Sequence, residues 1–152
     1  MKNKILFIVL TTLATMTFQA QANEMEEPSL YDRLGGVYSI ATVVDDLIER
    51  LLVNETLNAN PAIKAARDHV PKAGLKFHLT AQVSQAAGGP QIYTGRNMHD
   101  THAHLSITET EWQVLLSEFK VTLDKFNVPV KEQNELFAII DTTKQSIVIA
   151  QN

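Results

Sequence analysis

Between Val37 and Leu51 the apolar side chains recur at the spacing of one helical face. Val37, Ile40, Ala41, Val44, Leu47, Ile48 and Leu51 form the stripe, with Asp45, Asp46, Glu49 and Arg50 on the other faces. No segment alternates apolar and polar residues over enough positions to build a sheet, so the pattern points to an all-α fold. The helical period returns from Lys72 through Ala87 and stops at Gly88-Gly89-Pro90, a strong terminator. Thr108 with Glu111 three residues later is a capping box, and it opens a helix expected to bury Trp112, Leu115, Leu116, Phe119, Leu123 and Phe126. After the Asn127-Val128-Pro129 turn a last helix is expected from about Lys131 to Val148. Ser29 is a suitable cap for one short turn, Leu30 to Leu34, ended by Gly35-Gly36. Asn54 to Pro61 reads as a turn-rich break, and Pro61 and Pro71 bracket a short helix.

The N-terminus has a different character. Lys2 and Lys4 precede an apolar stretch from Ile5 to Phe18, and Ala20-Gln21-Ala22 is a small-x-small cleavage signal. Residues 1–22 are expected to be a signal peptide cleaved after Ala22, since the apolar part is short for a membrane span. Residues 23–28 then form an acidic, disordered lead-in, and residues 29–150 one domain. The expected location is periplasmic or secreted, with no membrane contact after cleavage. Loss of Lys2 and Lys4 moves the formal charge from −4 to −6, and no basic cluster remains, which argues against nucleic acid as a partner. The absence of cysteine excludes disulfides, Cys-based metal sites and thioether-linked haem.

With no thiol present, the five histidines are the neutral-pH metal ligands: His69, His78, His99, His102 and His104. Three of them form H-x-x-H-x-H. His99 and His102, three apart, share a helix face, whereas His104 lies far round from His102, so His99 and His104 read best as solvated surface residues. His78 sits in an apolar stripe with Leu75, Leu79 and Gln82. A histidine on each of two helices, each beside apolar residues, is what a haem iron with two axial faces needs. Spacing permits such a pocket without demanding one.

The series Ser29-Leu30-Tyr31-Asp32-Arg33-Leu34-Gly35-Gly36 resembles the opening of truncated haemoglobins. Gly88 to Met98, ending four residues later at His102, resembles that family's stretch from the end of the distal helix to the proximal histidine. Asp45-Asp46, Ile107-Thr108 and the Val128-Pro129 turn fall in step, so the similarity spans nearly all of 29–148 and is greatest with the group I branch. The resemblance implies a two-over-two helical sandwich around a non-covalent b-type haem. It implies His102 as the proximal iron ligand, with the helix from Leu75 to Ala87 over the distal side. Leu75 and Leu79 match distal positions, Ile48 reaches in from the long helix, and Tyr93, Met98, Ile107, Trp112 and Leu115 match lining or supporting positions. Arg96 matches a propionate contact.

Where the family often carries a tyrosine and a glutamine that hydrogen-bond the bound gas, this chain has Ile48 and Leu79. Loss of such a donor costs about 1–3 kcal/mol. Residues 58–72 contain extra positions and do not align. His78 falls where some relatives place a histidine that binds iron when no external ligand is present, so it is the candidate distal iron ligand. The expected function is binding of a diatomic gas, oxygen or nitric oxide. A bis-histidine electron carrier or gas sensor is the second reading, and a haem-free metal protein built on His99, His102 and His104 the third. No nucleotide-binding glycine motif occurs, so redox turnover such as nitric oxide dioxygenation would require an external electron donor. No Ser–His–Asp or paired-carboxylate motif supports a hydrolase.

Overall fold

The computed structural model describes residues 27–148. The expected signal segment and most of the acidic lead-in lie outside the described residues. The order is α1 (Leu30–Arg33), α2 (Gly36–Val53), α3 (Glu55–Ala59), α4 (Pro61–His69), α5 (Lys72–Ala86), α6 (Met98–His102), a 3-10 turn (Ala103–Leu105), α7 (Glu109–Lys125), α8 (Val130–Asp141) and α9 (Lys144–Ile147). Among the described residues there is no strand, only one isolated parallel bridge between Ile107 and Val148. The long helices form two pairs, α2 with α5 and α7 with α8, and α2 crosses from the first pair onto α7. This is a two-over-two helical sandwich.

The core follows from the stripe on α2. Ile40, Val44 and Ile48 form one buried group, with Leu79 and Val83 of α5 packed against it. Leu47 joins Leu30, Ala87, Phe119, Leu123 and Leu136 in a second group, on which α1, α7 and α8 close. The Thr108–Glu111 capping box forms as the sequence predicts: Thr108 Oγ1 accepts from the Glu111 N–H, and Glu111 accepts from the Thr108 N–H at 2.7 Å.

Two expectations change. The segment 54–61 contains α3, because Asn54 accepts from the N–H groups of Thr56 and Leu57 while Leu57 is buried. Asn60 then repeats the device for α4, with Pro61 at the first helical position. A five-residue helix is too short to register as a period. The last helix is also not continuous. Thr142 and Thr143 turn their hydroxyls back onto the carbonyls of Ile139 and Ile140, each at 2.7 Å, and split it into α8 and α9.

Polar contacts fix how α1 and α2 sit. Arg33 donates to Glu132 at 2.9 Å and to Glu135 at 2.5 Å, joining α1 to α8. Its guanidinium also holds the Glu132 carboxyl below the usual range, after the larger effect of that residue's own backbone N–H. Asp46 takes Lys125, Arg50 and the Thr122 hydroxyl, joining α2 to α7. Tyr31 ties α1 to the end of α5: its N–H donates to Ala87 O at 2.8 Å, and its hydroxyl oxygen accepts from the Val37 N–H and from Gln91.

Gly89 is required by that arrangement, because a Cβ there would lie 2.4 Å from the Tyr31 ring. Gly74, in the first turns of α5, has open space around it. Gly89→Ala is therefore expected to destabilise by about 1–3 kcal/mol. Gly74→Ala is expected to stabilise by about 0.5–1 kcal/mol. Urea midpoints of the two variants should move in opposite directions.

Candidate functional site

α5 is built with two faces. Leu79, Ala81, Val83 and Ser84 turn inward, and Ala81 and Ser84 are buried. The stripe Leu75, His78, Gln82, Gln85 runs along the helix at spacings of three and four. It faces the segment between Gly89 and α6 and meets it at three points. The rings of His78 and Tyr93 meet edge-on with centroids 6.0 Å apart. Gln82 Nε2 donates to the sulfur of Met98 at 3.3 Å. Gln85 Oε1 accepts from the Tyr93 N–H at 2.6 Å. Phe77, beside His78 at 5.5 Å between centroids, is 65% exposed, and Leu75 is also exposed.

The opposite wall is α6. Asn97 caps it, accepting from the Asp100 N–H at 2.8 Å, so the short helix starts at a fixed point. α9 packs against it. His102 closes the helix, half-buried, with Nδ1 2.8 Å from Met98 O. A carbonyl oxygen only accepts, so Nδ1 carries the proton and donates. Burial pushes the His102 pKa down, with the Met98 bond opposing it and the charge of His104 adding to it. Burial and His104 both favour the neutral imidazole, and Nε2 makes no hydrogen bond among the described residues. A backbone carbonyl that fixes one ring nitrogen and leaves the other for a metal is the usual support of a metal-binding histidine. The donor chemistry of His102 therefore fits a haem iron.

The other sequence candidates fall into place around these walls. Ile48 and Leu79 come together in one buried apolar group. Tyr93 donates from its hydroxyl to Arg96 O at 2.7 Å. The Arg96 side chain is exposed and makes no hydrogen bond among the described residues. Ile107 bridges to Val148 just before α7. Trp112 is 1% exposed with Nε1 unpartnered, and Leu115 is half-buried one turn further on. His69, His99 and His104 are exposed, and His99 leans on Asp100 at 3.3 Å. Among the described residues no three His, Cys, Asp or Glu side chains gather to hold an ion, which weighs against the haem-free metal reading. No helix there is long and apolar enough to cross a membrane.

Sequence reasoning overlooks Gln85, Asn97 and Phe77. Gln85 is legible as the residue seven after His78, two turns along the same face. The capping role of Asn97 is legible from its place before Met98. Nothing in the sequence marks Phe77 as exposed.

The described residues thus form a two-over-two helical sandwich with the half-buried His102 on α6 and the exposed His78 on α5. Residues 29–149 match the family model described as bacterial-like globin. The group 1 truncated hemoglobin GlbN of Nostoc commune is 33% identical over 87 residues, which is 57% of this chain and 69% of that protein. The Fe(III) crystal structure of a mutant of Tetrahymena pyriformis truncated hemoglobin superposes with a TM-score of 0.71 at 20% identity, covering 81% of this chain and all of that one. The 2/2 hemoglobin of Synechococcus sp. PCC 7002, in its cyanomet state with covalently attached heme, gives 0.70 at 22% identity over 80% and 98% of the two chains. The chain belongs to the truncated haemoglobin family.

Histidine-selective nitrogen NMR of the haem-free protein should show His102 with its proton on Nδ1. A proton on Nε2 would contradict the geometry of the Met98 contact.

Proposed function

We propose that this chain binds one b-type haem non-covalently and takes a diatomic gas, oxygen or nitric oxide, at the iron. The observation that carries the reading is His102, neutral, half-buried and tied through Nδ1 to Met98 O, with Nε2 left as a ligand. Membership of the family supports the cofactor, and the absence of cysteine removes any thioether attachment. When bound, haem supplies the iron at which the gas is exchanged. The protein's own residues hold it. His102 would hold the iron through Nε2. Ile48 and Leu79 would back the site with the apolar group between α2 and α5. Arg96, exposed at the loop and without a side-chain hydrogen bond among the described residues, is the candidate for a propionate carboxylate.

His78 would be the second residue to hold the iron. Of the polar groups on the outward stripe of α5, Gln82 is engaged with Met98 and Gln85 with Tyr93, which leaves the imidazole of His78 free. In this reading His78 would compete with a gas for the iron, which would suit redox or ligand-sensing chemistry with an external electron donor better than oxygen storage. Residues 1–22 are proposed to send it to the periplasm, with cleavage after Ala22 leaving the globin domain at 29–150; the n-region, apolar stretch and Ala20-Gln21-Ala22 support this.

Protein purified with haem available is expected to show a strong Soret band that His102→Ala abolishes and His99→Ala and His104→Ala retain. A Soret band that survives unchanged in His102→Ala, or none in the parent, would defeat the reading.

A further inference from the structure

We propose that Tyr93 is a positioning residue for His78: its ring, fixed to the backbone of its own loop, holds the imidazole turned toward the segment that carries His102. The inference rests on the reading of His78 as the second axial ligand.

Tyr93 is immobilised at three points. Its hydroxyl donates to Arg96 O at 2.7 Å, and its N–H donates to Gln85 Oε1 at 2.6 Å. Its ring lies against Gly95, where a Cβ would sit 2.3 Å from the hydroxyl oxygen and 2.4 Å from the ring carbon bearing it. Only a glycine leaves that space, so residues 93–96 form a small closed unit with the ring as its wall. Gln85 then fastens the wall to α5 two turns beyond His78, on the same stripe.

His78 meets this wall edge-on, with an interplanar angle of 82°, and Phe77 meets its ring at 73° from the neighbouring position. His78 is otherwise exposed and makes no hydrogen bond among the described residues. Among the described residues, Tyr93 is the one aromatic ring from outside α5 that meets His78, and the contact restricts its staggered side-chain orientations. The wall belongs to the loop that leads through Asn97 into α6, so an imidazole resting on it is held on the side of α5 that meets this loop. The ring would thus be pre-organised toward an iron held by His102, with less rotamer freedom to lose on binding.

The test is the haem-loaded protein in four forms: parent, Tyr93→Phe, Tyr93→Leu and His78→Ala. Tyr93→Phe keeps the ring and should stay near the parent. Tyr93→Leu should shift the ferric spectrum from low-spin toward high-spin. It should also speed carbon monoxide binding to the ferrous protein about fivefold, the scale of one side chain's rotamer freedom. His78→Ala should remove the low-spin form entirely. If Tyr93→Leu matches the parent in spin state and rate while His78→Ala changes both, the positioning role is overturned and the ligand reading stands. If His78→Ala leaves the spectrum unchanged, the ligand reading falls, and the positioning role with it. Should Tyr93→Leu fail to fold, the parent ferrous protein decides by NMR: a ring-to-ring Overhauser contact between His78 and Tyr93 supports the proposal, and its absence overturns it.

Discussion

The use of α5 by two different neighbours is the constraint on which the structure turns. Its inner residues, Leu79, Ala81, Val83 and Ser84, complete the apolar groups built on α2. Its outer stripe is left to a loop and a five-residue helix, which meet it through one aromatic edge, one thioether and one amide. Those contacts are too sparse to bury the face, and Leu75 and Phe77 remain exposed beside them. The helix thus has one face committed to the core and the other left largely open, touching α6, which carries His102, through Gln82 and Met98.

The devices that keep that opening in register lie away from it. Tyr31 fastens the start of the domain to the end of α5, and Gly89 leaves room for its ring. Arg33 and Asp46 hold α1 and α2 against α8 and α7. On the other side Asn60 reaches from the start of α4 to Leu105 O at 3.0 Å, and Arg67 donates to the last carbonyls of α2, Leu51 and Leu52. Residues 60–67 are therefore bolted at both ends, to the long helix and to the turn after His102. Their polar side chains make these bonds because α4 buries none of its residues fully.

Much of this was legible in the sequence, for reasons that can be named. The α2 stripe, the Gly88-Gly89 stop and the Thr108–Glu111 box each rest on local rules that tertiary context did not overturn. The hydrogen bond from His102 to Met98 O follows from a spacing of four on a helix. The helix α3 was not legible, because its stability comes from Asn54 and one buried leucine rather than from a period. The break at Thr142-Thr143 depends on hydroxyl-to-backbone bonds that compete with the helix, and helical spacing alone does not reveal them. The contact between His78 and Tyr93 joins residues fifteen apart through a loop, and only the fold brings them together.

The central claim, that α5 and His102 enclose a haem, is tested most directly by thermal unfolding of the protein with and without added haem. A ligand that binds only the folded state raises the midpoint by mass action. The midpoint is expected to rise, to saturate at one haem per chain and to lose most of that rise in His102→Ala, while the haem-free midpoint of that variant stays close to the parent's. No rise in the parent, or an equal rise in His102→Ala, would contradict the claim.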